Sequence, residues 1–467
     1  MKILLGYQSY QQRSKSTTGQ RLVNLYAEKN PEGSKFPYTI YGTPGYVSFV
    51  DLGTTKAIQG MQKMSTLLYA VSGNEVFKVT TAGVKTSLGT ITGTEGRVDM
   101  SNNGSQMFIK TEDGLAWVTT SSTLTKVTDS DFPNATSSTF LDGYTIVSKK
   151  DSGQFNISGL LNSTTWDALD FATAEEQPDN LVRVFAFNGA LWLFGETSYE
   201  VYYNSGNADF PFAQVQGAVN TTRGCAAAFS VVQEDDTMFF LGNDRVVYKV
   251  VGFDVQRISH HGIETAFNDY TVSNAYGGIT TQDGHKFYNL TFPSNDASWS
   301  FDISSGLWSE RTTLVGDTPK AWSANAFEKF ADKQLIGHNS NGKIYSLDPT
   351  VFTEDGTTIE RIVDGSVKWL DGKRVTYNRI RLDIDAGVGL ITGQGSDPEV
   401  MMSFSDDGGI TFNSEKWRKF GKIGDYTKRA VWRRQGQARE RIYRFKITDP
   451  VAVRITGAYT DVRVGKE

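Results

Sequence analysis

Between residues 67 and 347 one unit recurs: an apolar strand, a polar turn, then a second apolar strand. Its copies begin at 67, 106, 144, 190, 237, 285 and 333, at intervals of 39, 38, 46, 47, 48 and 48 residues. The first reads Leu67-Leu-Tyr-Ala-Val, turns through Ser72-Gly-Asn and returns as Val76-Phe-Lys-Val. The fourth reads Ala190-Leu-Trp-Leu-Phe, Gly195-Glu-Thr, Tyr199-Glu-Val-Tyr-Tyr. A lone hairpin cannot cover its own apolar face, whereas radial stacking of four-stranded blades covers both faces and leaves only short edges. A strand-built period of roughly 40–50 residues therefore predicts a β-propeller. The expected fold is all-β, a propeller of six to seven blades, seven favoured by the seven hairpins, over residues 55–350. A long β-sandwich is the competing fold. Helical spacing is confined to 175–184 and 264–269.

After Asp348-Pro349 and a polar link around Glu354-Asp-Gly, strand alternation continues without that period, at 379–384, 400–404, 442–447 and 451–455. Apolar and polar residues alternating in this way predict a β-sandwich, placed at 351–467. Residues 1–54 precede the first hairpin and are expected as an extended arm that packs elsewhere.

Composition narrows the chemistry. A single cysteine, Cys225, leaves no disulfide framework and no cysteine zinc site. Its Gly-Cys-Ala-Ala-Ala-Phe setting reads as packed core. The opening Met1-Lys-Ile-Leu-Leu-Gly is too short in apolar residues for a secretory leader, so synthesis in a cytoplasm is expected. No stretch approaches the roughly 18 apolar residues of a membrane span.

Four histidines offer little to an enzyme. His260 and His261 are adjacent and would face opposite sides of a strand. His285 and His338 each sit alone on a hairpin. Paired carboxylates such as Asp235-Asp236 and Glu175-Glu176 lie in turn-like contexts, and no P-loop, Gly-x-Ser-x-Gly or His-Glu-x-x-His pattern occurs. No catalytic residue, metal or cofactor is expected.

Ser405, Asp407, Gly409, Thr411 and Phe412 fit the Asp-box pattern of sialidase propellers. That pattern is a capped hairpin turn. It occurs once, outside the expected propeller, so a structural role is expected. It also motivates the alternative functions, a sialidase-like propeller glycosidase or depolymerase, or a carbohydrate-binding module.

Charge is unevenly spread. The net charge is −5, yet residues 416–446 hold twelve Lys or Arg against two acids, so +10, and the remainder carries −15. The twelve are Lys416, Arg418, Lys419, Lys422, Lys428, Arg429, Arg433, Arg434, Arg439, Arg441, Arg444 and Lys446. Strand alternation sets Ile442, Arg444 and Lys446 on one face and Tyr443, Phe445 and Ile447 on the other. The cations could form a solvated face, pair with acidic blades of a neighbouring subunit, or meet passing DNA through phosphate charge alone.

Several of these residues also carry a resemblance. Ser405-Asp-Asp-Gly-Gly, Arg429-Ala-Val-Trp-Arg-Arg-Gln-Gly436, Arg441-Ile-Tyr-Arg-Phe-Lys and Asp449-Pro-Val resemble the packaged-DNA stabilisation proteins, the tail hubs or nozzles of short-tailed bacteriophages. Arg21-Leu-Val-Asn-Leu-Tyr-Ala-Glu and Tyr41-Gly-Thr-Pro-Gly45 are similar to that family's opening segment. The likeness covers roughly a third of the chain, at its two ends. It implies a virion protein made in a bacterial host: a homo-hexameric ring beneath portal and adaptor rings. Such a ring retains packaged DNA, is plugged by a tail needle, neighbours tailspikes or fibres, and becomes the ejection channel.

Overall fold

Each of the seven hairpins forms, and each supplies the two middle strands of a four-stranded blade. The computed structural model describes residues 2–10, 13 and 19–465. In the first blade Leu67–Ser72 and Glu75–Val79 lie between Ile58–Met64 on the inside and Lys85–Thr90 on the outside. Six blades take four consecutive strands each, over 58–90, 99–126, 135–173, 181–220, 232–257 and 276–315. A composite sheet closes the ring. Ala324–Phe330, Lys333–His338 and Lys343–Asp348 take Gly45–Asp51, from far back in the chain, as their outer strand. The count lies within the six to seven expected.

Burial between blades holds the ring. Trp117 and Met107 of the second blade pack on Tyr69 and Val71 of the first, and Phe108 meets Val147 and Trp166 of the third. Phe194 and Phe240 join the fourth and fifth blades with ring centres 4.9 Å apart. Phe239 stacks on Tyr288 at 5.2 Å between the fifth and sixth. Ile58 meets Leu335 and Ile344 where the ring closes. Removing a Phe-sized side chain from water stabilises the fold by about 1.5–3 kcal/mol, so these seams are the main cohesive term.

Among the described residues the only α-helix is His261–Phe267. The helical turn expected at 175–184 is absent: Leu181–Phe187 is the inner strand of the fourth blade. Pro178 has no N–H for a helical bond, and Arg183–Phe187 pairs residue for residue with Ala190–Phe194. Tertiary pairing overrides the local glutamate-rich signal.

The first 54 residues, read from sequence as an arm, are shared between the two bodies. Lys2–Ile3, Leu25–Lys29 and Tyr38–Gly42 join Arg454–Val464, Val375–Ile384, Ala430–Arg433 and Gln437–Ala438 in one sheet of the sandwich. Leu22–Val23, Arg361–Asp364, Lys368–Trp369, Glu440–Ile447, Glu399–Ser405 and Lys416–Lys419 form the other. Trp432, Phe445, Tyr443, Ile380 and Phe420 fill the space between them.

Leu22–Val23 also joins propeller to sandwich. Val23 pairs in parallel with Glu310 of the sixth blade, while Leu22 and Val23 pair antiparallel with Val363 and Ile362. One hydrogen-bonded sheet therefore runs from the sixth blade into the sandwich. Arg21 grips Glu310 with bonds of 2.8–3.1 Å. Asn24, in the left-handed conformation at φ 52°, is the staple of this junction. Its amide donates to Thr312 O (3.0 Å), Thr312 Oγ1 (3.0 Å) and Glu360 O (2.9 Å), and its Oδ1 accepts the Thr312 N–H (3.0 Å). The crossing into the closing strand is equally tight: a Cβ on Gly45 would lie 2.0 Å from the carbonyl oxygen of Thr353.

Three charges are buried beside this junction. Arg311 lies 3.9 Å over Trp322, Arg361 reaches Thr43 O at 3.4 Å, and Glu354 is the acid between the two bodies. Burial raises the Glu354 carboxyl to about 7, against the lowering pull of Thr313, Arg311 and Arg361. A carboxyl bound more tightly to its proton when folded contributes most below its unfolded value of 4.5, and that contribution is lost as pH climbs to about 7. Glu354→Gln is therefore expected to flatten the fall in stability across that window. The difference in stability between pH 5 and pH 8 should therefore be smaller in the variant than in the wild type, checked by denaturant unfolding of both proteins at the two pH values.

Candidate interaction surface

The basic segment occupies the edge of the sandwich farthest, in strand order, from the sixth blade: Lys416–Lys419 ends one sheet and Ala430–Arg433 the other. The structure separates its twelve cations into two groups. Seven are held by the chain itself.

Arg441 is buried, and its guanidinium binds both Asp406 oxygens (2.6 and 2.7 Å) and the Gln435 carbonyl (2.6 Å) while lying 3.8 Å over Phe404. Arg444 binds both oxygens of Asp364 (2.8 and 2.7 Å) and lies 3.8 Å over Phe412. Lys446 pairs with Glu415 at 2.5 Å and Glu360 at 3.7 Å. Tyr443, Phe445 and Ile447 fill the core, as alternation implies, but Arg444 and Lys446 opposite them are covered by carboxylates. Lys416 donates to Gln435, Lys419 pairs with Asp397 (2.7 Å), Arg418 donates to the carbonyls of Val431 and Trp417, and Arg439 to that of Gly372.

The other five, Lys422, Lys428, Arg429, Arg433 and Arg434, are exposed, and their side chains make no hydrogen bond or ion pair among the described residues. Arg433 lies opposite Arg379, itself paired with Asp461 at 2.7 Å, and the register places them on the outward face of the sheet. Lys422, Lys428 and Arg429 sit on the loop between the two edge strands.

The Asp-box residues form a closed turn. Ser405 Oγ donates to Asp407 and accepts the Gly409 N–H (2.8 Å), while Asp407 accepts the Ile410 and Thr411 amides and the Thr411 hydroxyl. Hydroxyls of Ser405 and Thr411 hold the Asp407 carboxyl well below the usual carboxylate range. The ring of Phe412 lies under the Arg444 guanidinium. Asp406, from the same turn, binds Arg441. The turn motif and the basic run, read separately in the sequence, thus form one structural unit.

The histidines are dispersed. His260 stacks on Tyr10, and burial lowers its imidazole to about 4. His261 is exposed beside Glu264. His285 meets Asp302 at 2.8 Å, and burial also lowers His338 to about 4. Cys225 lies in the seam between the fourth and fifth blades, its thiol raised by burial to about 11. No His, Cys, Asp or Glu cluster suited to a metal occurs among the described residues. No helix there is long and apolar enough to cross a membrane.

The propeller axis holds a cavity of about 470 Å³ lined by Arg97, Arg183, Phe229, Asn325, Glu234 and Glu328. Its carboxylates are engaged by the chain: Asp99 by Arg183, Glu234 by Lys286 (2.6 Å), and Glu328 by the backbone amides of Lys63 and Lys329 (both 3.2 Å). Sequence reading missed the acids that silence much of the basic run. Nothing in Arg361-Ile-Val-Asp364 marked the pairing of Asp364 with Arg444, 80 residues on.

Comparison with known proteins agrees with this two-body architecture. A family model described as Bacteriophage P22 Gp10, beta-propeller, matches residues 1–352, and one described as Bacteriophage P22 Gp10, beta-sandwich, matches residues 360–463. The chain belongs to the bacteriophage P22 Gp10 family. As a P22 Gp10 family member it is a structural protein of a phage tail. The P22 Gp10 resemblance visible at the two ends of the sequence therefore extends over almost the whole chain. No curated protein sequence matches this chain.

Similar solved structures include the designed protein Ika8 (10% identity, 64% of this chain, 99% of that chain, TM-score 0.37). The WD40 propeller domain of Doa1 (12%, 65%, 97%, 0.41) and PorZ of the type-IX secretion system of Porphyromonas gingivalis (10%, 73%, 44%, 0.36) are also similar. Likenesses this distant carry no argument about this P22 Gp10 family chain.

Proposed function

We propose that the protein is a tail hub, a homo-hexameric ring below the portal and adaptor rings that retains packaged DNA and later forms its exit channel. Family membership across both bodies supports this reading. So does the sheet that runs unbroken from the sixth blade into the sandwich, because a ring under internal pressure needs stiff subunits. Adaptor proteins, a tail needle and tailspikes or fibres are its neighbours in the particle.

On this reading the outward cations Arg433 and Arg434 face DNA. Contact is with phosphates, independent of base sequence, and weakens with salt. Electron microscopy of tails should show a sixfold ring of this chain; a single copy per tail would defeat the hexameric reading. Reversing Arg433 and Arg434 to Glu is expected to leave folding intact, since neither side chain is bonded. DNA-filled particles should fall about tenfold, counted by genome copies per capsid. Wild-type DNA content in that variant would remove DNA from the role of these residues.

A further inference from the structure

The loops at 385–398 and 420–429 pack together at the free edge of the sandwich. A side chain on Gly387 would strike the Tyr426 ring, and one on Gly389 would crowd the Ile423 amide. Their joint surface is unusual for its exposed apolar groups: Ile391 is 84% exposed, Tyr426 75% and Ile423 60%. Around these lie the unpaired Lys422, Lys428 and Arg429. The same loops carry Asp425, and Asp397, which pairs with Lys419, so the exposed unpaired charge is a cationic surplus beside an apolar knob, the surface of a docking element rather than of a solvated loop.

A complementary surface lies across the molecule. Residues 127–180, which contain the third blade, hold nine Asp or Glu against two Lys, a net −7 in a chain of net −5. Its outer strand Asn162–Thr173 leaves the ladder between Trp166 and Phe171, so Asp167-Ala-Leu-Asp170 bulges outward. Leu169, at the crest, is 81% exposed, with Leu160 and Leu161 exposed on the adjoining turn. Edge strands are usually blunted by charge and bulges. Here the bulge instead presents a leucine between two aspartates.

The two surfaces lie on opposite flanks. The sandwich adjoins the sixth blade and the closing sheet. The third blade is separated from these by the first and second blades on one side and by the fourth and fifth on the other. Two unlike, complementary patches on opposite sides of one subunit make a head-to-tail contact, the kind that closes cyclic rings.

We propose that the Lys422, Lys428 and Arg429 tip of one copy docks on the Asp167–Asp170 bulge of the next copy. Ile391 and Tyr426 meet Leu169 at the centre, and charge pairs lie at the rim. This rests on the hexameric reading above and names the surfaces that build the ring.

A charge swap tests it. Full-length K422E/K428E/R429E, full-length D167K/D170K and the combination of all five substitutions are each supplied to a phage lacking the gene. Ring occupancy is measured by microscopy of tails, and folding by circular dichroism. Each reversal alone is expected to reduce occupancy at least about tenfold, and the combination to restore it to within about threefold of wild type. If a reversed chain is unfolded, the neutral set K422Q/K428Q/R429Q replaces it and should still lower occupancy.

Normal rings from either single set, or a combination no better than its parts, would overturn the proposed contact while a sixfold wild-type ring upheld the hexamer. Normal rings with DNA loss in the tip variant would assign the tip to nucleic acid, against the proposal. Wild-type tails with no ring of this chain would remove the hexameric reading itself, and the contact with it.

Discussion

Asn24→Ala should loosen the propeller from the sandwich and lower stability by about 3–4 kcal/mol. The substitution removes four side-chain hydrogen bonds to Thr312 and Glu360 at once. Each bond contributes about 1 kcal/mol net, and the orphaned backbone groups of Thr312 and Glu360 cost more where water is excluded. Alanine at φ 52° adds about 1 kcal/mol of backbone strain. Asn24→Gly relieves only that strain, so it should fall between wild type and Asn24→Ala. Differential scanning calorimetry should show one transition in the wild type and two in Asn24→Ala, because the two bodies no longer melt together. A single, unshifted transition would contradict the stapling role.

Arg441→Ala is expected to cost about 3–4 kcal/mol, confined to the sandwich. The guanidinium is buried, fills the space between Tyr377 and Phe404, and satisfies the Gln435 carbonyl as well as Asp406. Removing it opens a cavity and strands a buried acceptor. Arg441→Lys should recover little, since an ammonium cannot span two carboxylate oxygens and stack on Phe404 together. Asp406→Asn, at a partly exposed carboxylate, should cost about 1 kcal/mol. Limited proteolysis should cut Arg441→Ala within 360–463 while the propeller fragment survives. Loss of less than about 1 kcal/mol would return Arg441 to the surface class its charge suggested.

Arg441 also shows where reading the sequence succeeded and where it failed. The alternation that sends Tyr443, Phe445 and Ile447 inward puts residue 441 on the same face. Its burial was therefore legible, but its charge grouped it with the exposed run. The middle strands of the blades were legible because they are buried and rich in apolar residues, on both faces in Leu67–Ser72, Ala190–Gly195 and Thr237–Leu241 and on one face in Gln154–Gly159 and Ala297–Asp302. Their flanking strands were not. Lys85–Thr90 is largely exposed, and Asp99–Asn102 is short and polar, so neither carries a pattern that separates it from a loop.

The closing strand posed a different difficulty. Gly45–Asp51 is rich in strand-forming residues, yet nothing local specifies a partner at Lys343–Asp348. The exposed tip of the sandwich had no signature either. Ile391, Ile423 and Tyr426 are scattered single apolar residues in polar loops until folding gathers them.

Closure of the propeller by Gly45–Asp51 sets an order of events during synthesis. The strand leaves the ribosome almost 300 residues before its partner exists, and must wait with its edge unsatisfied. The neighbouring Leu25–Lys29 and Tyr38–Gly42 wait likewise for Arg454–Val464, at the far end of translation. A polypeptide that stops before Lys343–Asp348 can seal neither body, and one that stops before Arg454–Val464 leaves the sandwich open, so only finished copies are rigid throughout. Topology here makes the rigidity of the whole subunit conditional on its last strand.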